Sequence, residues 1–180
     1  MLQKSQEKHT KGYVHIYTGN GKGKTTAAIG LALRAVGAGM KVCIIQFLKE
    51  KASSEFKPLS KLGEAITCHN YGKEHLIKDN VTSEDKALAR KGLEAAKRAI
   101  MSGTYDVVIL DEAILTNYFH LLTVDDLLTL IQQKPESVEL ILTGRKADPR
   151  FIETADLVTE MKEIKHYYTR GVLDRKGIES

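Results

Sequence analysis

Short apolar runs along the chain alternate with longer stretches in which apolar residues recur every three or four positions. The runs VCII and VVIL carry no charged side chain, which is typical of strands buried on both faces of a parallel sheet. Apolar and β-branched runs of this kind predict strands. They lie at 13–18, 41–47, 65–71, 105–110 and 138–143, and a small last strand begins at 157–158.

The longer stretches have the period of helices. In one of them, apolar residues fall on a single helical face: Ala89, Leu93, Ala96 and Ile100. The preceding residues 82–85, TSED, combine a capping residue with an acidic first turn and predict a helix start. The same reasoning predicts helices at 25–38, 123–133 and 148–155, and a further short helix inside the polar loop 48–63.

Strands that alternate with helices favour right-handed crossovers and a mostly parallel sheet. We therefore predict an α/β fold, with a mostly parallel, twisted sheet of about six strands and helices on both faces. In such sheets ligands bind at the carboxyl ends of the strands. Polar motifs follow predicted strands at 18–25, 111–112 and 143–145, so these motifs are expected to meet at one edge.

The composition is that of an ordinary globular domain. The 180 residues are 42% hydrophobic and 28% charged, which is enough for one buried core. We expect a flexible N-terminal arm at 1–11 and a single domain at 12–180. The net charge of +4 is too small to favour nucleic acid as a partner.

No apolar stretch approaches the ~20 residues that span a bilayer, and the polar segment MLQKSQEKHTK does not resemble a signal peptide. We therefore expect a cytoplasmic protein with no membrane partner. Cys43 and Cys68 lack the spacing of a zinc site or a redox pair. Reduced, buried thiols are the simplest interpretation of both.

The segment YVHIYTGNGKGKTTAAIG predicts a strand, a glycine-rich turn and a helix, which together form a phosphate-binding loop (P-loop). Thr18 stands where the common pattern has its first glycine, so the loop is shorter than usual. Lys24 is expected to reach phosphate oxygens, and Thr25 to bind Mg²⁺. The candidate nucleotide-binding residues are Gly19, Asn20, Gly21, Lys22, Gly23, Lys24, Thr25 and Thr26. The fold is thus predicted to be P-loop NTPase-like.

Two acids, Asp111 and Glu112, follow the apolar run VVIL. An acid at this place in P-loop proteins holds Mg²⁺, directly or through water. The candidate metal ligands are therefore Thr25, Asp111 and Glu112. Glu112 has a second interpretation, because it could activate an attacking water in an ATPase. Lys24 and Glu112 are the candidate catalytic residues.

Arg145 follows the strand predicted at 138–143. Its guanidinium could pair with phosphate oxygens. It could equally cap a helix or pair with Asp148, and the sequence leaves these alternatives open. The histidines show no spacing typical of a metal site.

The motifs TGNGKGKTTAAIGLALRAVGAGMKV, QFLK, YDVVILDE, LILTGR, ADLVTEMKEIKH and GVLDRKGIE resemble, in order and spacing, those of the P-loop corrinoid adenosyltransferases. The resemblance covers roughly residues 11–179. It implies that the 5′-deoxyadenosyl group of ATP is transferred to the Co(I) of a corrinoid, with release of inorganic triphosphate, in adenosylcobalamin synthesis or salvage. It also implies that ATP binds in the orientation opposite to that in ordinary P-loop enzymes, together with Mg²⁺. The expected partners are an electron-donating flavoprotein and a second copy of the chain in a homodimer.

One departure from the family concerns the segment after the strand predicted at 65–71. The family usually carries a Trp there, which is thought to cover the lower corrinoid face, and this chain has no Trp. The candidates to replace it are Tyr71, Leu76, Ile77 and Phe47. We expect Leu76 and Ile77 to face the cobalt and His75 to turn away.

Two other functions remain open from the residues. The first is a P-loop ATPase or small-molecule kinase in which Glu112 activates the nucleophile. The second is a binding module that loads or senses a corrinoid without turnover. Analysis of the products distinguishes the first from an adenosyltransferase, because an ATPase releases ADP and phosphate.

Overall fold

The computed structural model describes residues 11–49, 54–73 and 81–179. Within these ranges a single sheet has the strand order β3-β2-β4-β5-β1-β6, and every pairing is parallel. The predicted α/β class is confirmed, with the sheet parallel throughout. Its strands are β1 (Val14–Thr18), β2 (Val42–Phe47), β3 (Ile66–Tyr71), β4 (Val107–Asp111), β5 (Glu139–Thr143) and β6 (Leu157–Glu160).

Helices connect the strands and cover both faces of the sheet. They are α1 (Lys24–Gly37), α2 (Phe56–Leu59), α3 (Ser83–Met101), α4 (Ala113–Tyr118), α5 (Val124–Gln132) and α6 (Pro149–Thr154), with 3₁₀ turns at Ser60–Ala65 and Tyr167–Arg170. Thr82 and Thr123 each begin a helix through a capping box with the Asp three residues later. Helix α4, which begins directly after Glu112, was not predicted. Among the described residues no helix has the length and apolarity to cross a membrane.

The core divides into two layers because successive side chains of a strand point to opposite faces. On one face Ile44, Ile109 and Ile141 pack with residues of α1 and α2. On the other face their neighbours Ile45, Val108 and Leu140 pack with residues of α3 and α5. This double burial explains why β2 and β4 are apolar at consecutive positions.

Phe47 belongs to this core. Its side chain is fully buried, and a Cβ added to Gly92 of α3 would lie only 2.6 Å from the Phe47 ring. The expectation that Phe47 could cover a corrinoid is therefore wrong, because its ring fills the space between β2 and α3. His75, Leu76 and Ile77 lie outside the described residues, as does the predicted arm apart from Lys11.

The strand order determines which motifs meet. Strand β5 lies between β1 and β4, so the loop after β1 and the acids after β4 are two strands apart. Strand β2 flanks β4 on its other side, with Gln46 opposite Asp111 in the register. The edge strands β3 and β6 are more exposed than the central strands, which agrees with their more polar sequences.

Candidate functional site

A cavity of about 900 Å³ opens at the carboxyl ends of the strands. The phosphate loop, which we define as residues 19–25, forms one wall. The first turn of α1 continues this wall. Glu112 and Arg145 line the cavity from the loops after β4 and β5. The opposite wall comes from residues 161–179, here called the C-terminal segment, through Glu163, His166, Tyr168, Asp174, Gly177, Ile178 and Glu179.

The glycines of the phosphate loop lie against the backbone that follows β6. The Met161 amide donates to the Thr18 carbonyl at 2.8 Å, and the Gly21 amide donates to the Met161 carbonyl at 2.6 Å. A Cβ at Gly19 or Gly21 would lie 2.5 or 2.6 Å from the Met161 oxygen. Gly19 also has a φ of 95°, which favours glycine. The glycine spacing is thus required by a neighbouring chain segment as well as by the turn.

Lys24 occupies the middle of the phosphate loop. It is 6% exposed, and its Nζ donates to the carbonyl oxygens of Gly19 and Gly21, both at 2.8 Å. Burial lowers the pKa of Lys24, while the carboxylate of Glu112 acts in the opposite direction. A buried ammonium at the start of a helix forms a strongly positive site, suited to a polyphosphate.

Thr25 and Asp111 are in direct contact. The Thr25 hydroxyl donates to Asp111 Oδ1 at 2.8 Å, and Asp111 is 1% exposed. The two predicted metal ligands are therefore brought together by the packing of α1 against β4. The Asp111 carboxylate lies behind the Thr25 hydroxyl rather than on the cavity surface.

Glu112 has a left-handed backbone, with φ of 57°, and its amide donates to the Thr143 hydroxyl at 2.9 Å. Among the described residues its buried Oε2 has no hydrogen-bond partner. Burial raises the pKa of Glu112, and the neighbouring Asp111 adds to this effect. Glu112 lines the cavity, and its unpaired buried carboxylate oxygen is suited either to a cation or to a proton.

The remaining predicted residues differ in whether they line the cavity. Thr26 lines the cavity from the first turn of α1, whereas Gly19 and Asn20 are outside the lining. Gly23 precedes α1 with a φ of 116°. Arg145 is exposed at the cavity. In the described part of the chain Asp148 pairs with Arg150, whose Nε donates to it at 3.1 Å, and no ion pair joins Asp148 to Arg145.

The structure adds contacts of Lys22 that sequence reasoning missed. Its Nζ lies 3.0 Å from Glu179 Oε1 and also donates to the Ile178 carbonyl. The Tyr167 hydroxyl donates to the same Glu179 carboxylate. We call Lys22, Tyr167, Arg175 and Glu179 the C-terminal clasp. The motif KGIE was recognised only through the family resemblance, and nothing in its spacing indicated this contact.

The oxygen atoms that Thr25, Asp111 and Glu112 present near the loop are of the kind that fits a magnesium ion arriving with a phosphate group. Among the described residues no group of three His, Cys, Asp or Glu side chains could hold a metal by itself. Mg²⁺ uses few protein ligands and keeps its bonds to water and phosphate. The hydroxyl of Thr25 and the carboxylates of Asp111 and Glu112, one with an unpaired oxygen, match that preference.

Comparison with known proteins gives a consistent result. The profile of one protein family, described as ATP:corrinoid adenosyltransferase BtuR/CobO/CobP, matches residues 10–180. A corrinoid adenosyltransferase of Pseudomonas aeruginosa is 34% identical over 97% of this chain and 87% of its own length. A corrinoid adenosyltransferase of Escherichia coli K12 is 32% identical over 97% of this chain and 89% of its own length.

The fold is also similar to a solved structure. The flagellar accessory protein FlaH from Methanocaldococcus jannaschii superposes with a TM-score of 0.60 at 18% identity, over 83% of this chain and 71% of that protein. At this identity the likeness concerns the fold alone.

Proposed function

The chain belongs to the ATP:corrinoid adenosyltransferase family, and on that premise we propose that it transfers the 5′-deoxyadenosyl group of ATP to the Co(I) of a corrinoid, releasing triphosphate. The observation that carries the proposal is the buried Lys24 ammonium at the centre of the phosphate loop, facing a cavity of about 900 Å³. A cavity of that size accommodates a nucleotide.

The proposed reaction is a displacement at carbon. The cobalt electron pair forms the Co–C5′ bond, the C5′–O bond breaks, and its electron pair leaves with the triphosphate. The nucleophile belongs to the substrate, so no side chain has to remove a proton. The protein has to stabilise the charge on the leaving group. We assign that role to Lys24, Lys22, Arg145 and the loop amides, with the Thr26 hydroxyl as a further donor.

We further propose that Mg²⁺ binds with the triphosphate at Thr25, Asp111 and Glu112. When bound, the ion neutralises charge on the phosphate oxygens. The support is the oxygen-only ligand set and the unpaired Oε2 of Glu112. In this proposal Glu112 is ionised when the metal is present, because a cation opposes the effect of burial on its pKa.

A second function is supported by Glu112 itself. Its raised pKa and its place on the cavity surface also suit a base that activates water in an ATPase or small-molecule kinase. The two functions predict different products from ATP. The transferase yields triphosphate and a cobalt–carbon bond, whereas the ATPase yields ADP and phosphate.

The test is an anaerobic assay with Co(I) corrinoid and MgATP, in which absorbance follows formation of the cobalt–carbon bond and chromatography identifies the phosphate product. We expect equal amounts of adenosylated corrinoid and triphosphate. Formation of ADP that does not depend on the corrinoid would support the ATPase instead. Bound ATP with neither product would support a binding module.

The wider setting follows from the family resemblance and remains part of the proposal. We propose a role in adenosylcobalamin synthesis or salvage in the cytoplasm, a flavoprotein that supplies electrons to the cobalt, and a homodimer. The exposed Leu157 and Val158 on edge strand β6 are compatible with contact to a second copy. Sedimentation of the purified protein would test the homodimer.

A further inference from the structure

The Asp111 carboxylate is held from both neighbouring strands. From β5, the Thr143 hydroxyl donates to Asp111 Oδ1 at 2.7 Å. From β2, Gln46 Nε2 donates to Asp111 Oδ2 at 2.8 Å. Thr143 and Gln46 are both fully buried. Each oxygen of the carboxylate thus has its own donor from the sheet, in addition to the Thr25 hydroxyl from the loop.

A third residue determines which end of the Gln46 side chain faces Asp111. An ionised carboxylate only accepts hydrogen bonds, so Gln46 has to present its NH₂ group and leave its Oε1 for another donor. Asn70 on β3 supplies that donor, with Nδ2 2.9 Å from Gln46 Oε1. The polar row therefore crosses four adjacent strands, from Thr143 on β5 through Asp111 and Gln46 to Asn70.

Burying this polar row lowers the stability of the fold relative to an apolar core, so its presence indicates a function. Gln46 follows the apolar run VCII, and a buried amide is stable only when its donors and acceptors are paired. An apolar residue at position 46 would avoid that requirement. The row does, however, restrict the rotation of Asp111, so that Oδ1 stays on the side of Thr25.

We propose that Gln46 and Thr143 are positioning residues for Asp111, which would help to hold the nucleotide-bound Mg²⁺ from behind Thr25, through the Thr25 hydroxyl or a bound water, and that Asn70 fixes the orientation of the Gln46 amide. This inference rests on the proposed metal site. Thr143 has a double role, because its hydroxyl also accepts the Glu112 amide and so places both acids. Partners that orient metal ligands typically contribute roughly tenfold to a hundredfold in metal affinity.

The test measures Mn²⁺ binding to the protein–ATP complex by electron paramagnetic resonance, and ATP binding without divalent metal by calorimetry. The variants are Gln46→Met, which keeps the length and removes the donor, and Thr143→Val, which keeps the shape and removes the hydroxyl. Thr143→Ser restores the hydroxyl, and Asn70→Leu removes the donor to Gln46. His69→Ala is the control, since His69 is the exposed neighbour of Asn70 on β3.

We expect Gln46→Met and Thr143→Val to weaken Mn²⁺ binding roughly tenfold to a hundredfold, with metal-free ATP binding unchanged. Thr143→Ser should recover most of the loss, Asn70→Leu should show a smaller loss in the same direction, and His69→Ala none. If Gln46→Met does not fold, the difference in Mn²⁺ affinity between Thr143→Val and Thr143→Ser tests the inference instead.

Two results would overturn the inference. One is unchanged Mn²⁺ affinity in both donor-free variants. The other is an equal loss of metal and metal-free ATP binding, which would indicate a purely structural role. Asp111→Asn separates the proposals: if it lowers Mn²⁺ affinity while Gln46→Met does not, only the positioning role fails. If Asp111→Asn has no effect, the metal site and the inference fail together.

Discussion

Two regions contact the phosphate loop, and they are built in opposite ways. On the sheet side, Thr25 bonds to an Asp111 that is 1% exposed and held from two strands. On the other side, the clasp joins Lys22, whose side chain is 39% exposed, to Glu179 near the end of the chain. Buried, fully paired groups keep one geometry, whereas an exposed ion pair contributes little and is screened by salt.

The difference indicates that the two sides of the loop have different roles, one fixed and one able to exchange partners. The sheet side holds groups whose position has to be the same before and after a nucleotide binds. The clasp holds Lys22, whose ammonium is equally suited to a phosphate oxygen. A triphosphate in the cavity would therefore compete with Glu179 for Lys22, while it leaves the contacts of Asp111 with the sheet in place.

Lys24→Ala should have the largest effect, because it removes the buried charge between the two regions. Loss of a desolvated charge contact typically costs about 2–5 kcal/mol, so we expect ATP binding and turnover both to collapse while the fold is retained. Calorimetry with ATP and circular dichroism measure these quantities. Lys91→Ala, at an exposed position on α3, is the control. Normal ATP binding by Lys24→Ala would refute the phosphate-loop assignment.

The acids come next, and their variants test the sheet side alone. Asp111→Asn and Glu112→Gln should weaken Mg²⁺-dependent turnover more than metal-free ATP binding, because each loses a negative charge near the proposed metal. The measurement is the Mg²⁺ concentration that gives half-maximal turnover. A Glu112→Gln variant that binds ATP normally but traps it unreacted, with ADP as the product of the unmodified protein, would favour the ATPase.

Glu179→Gln tests the clasp and should have a smaller effect of opposite sign. Without its carboxylate partner, Lys22 no longer has to exchange an ion pair for a phosphate contact. We expect ATP affinity to rise by a few fold at most, in keeping with the value of an exposed pair, and to become more dependent on salt, because Lys22 then attracts the anionic nucleotide without a competing carboxylate. The paired measurement is ATP affinity of both proteins at low and high salt. Weaker ATP binding by Glu179→Gln would mean that the clasp forms part of the binding site.

The smallest effect should come from pH acting on the clasp. Arg175 and Tyr167 lower the pKa of Glu179 from its ordinary 4.5, so this contribution is present above that value and is lost as the pH falls through the lowered pKa. Glu179 raises the pKa of Lys22 from its ordinary 10.5, so that contribution is lost only in strong alkali. Between about pH 5 and pH 10 the clasp should therefore persist.

Amide hydrogen exchange of Ile178 measures the persistence of the clasp, because its N–H donates within the C-terminal segment to the Arg175 carbonyl. After correction for intrinsic rates, its protection should be constant across the neutral range and fall in acid. A marked change in protection between pH 6 and pH 8 would show that other groups control the segment.

Much of the fold was predictable because local patterns determine local elements. The capping box at Thr82 and the acids after VVIL stand out within a few residues of sequence. The order of the strands does not, since periodicity indicates the type of an element but not its neighbours. Hence the sequence indicated that Thr25, Asp111 and Thr143 would lie at one edge, but not that Thr143 from β5 would donate a hydrogen bond to the Asp111 carboxylate.

The contacts that sequence reasoning missed share one property: their two partners are distant in sequence. Gln46 seemed an ordinary member of a strand until Asp111, 65 positions away, was found opposite it. Lys22 and Glu179 are 157 positions apart. The apolar run VCII is followed by the amide side chain of Gln46, and this pattern is a weak signal that could have indicated a site residue. No local signal could have paired Lys22, because exposed lysines are common and their partners are set by the whole fold.

The strand order also has a consequence for how the protein is made. Strand β1 emerges first from the ribosome, yet its partners in the sheet are β5 and β6, and the turn that follows β1 bonds to Met161. At typical rates of synthesis, on the order of ten seconds separate the two segments. During that time the nucleotide-binding turn lacks the two strands that flank β1, so a nascent chain should become able to bind ATP only after residue 161 has been added.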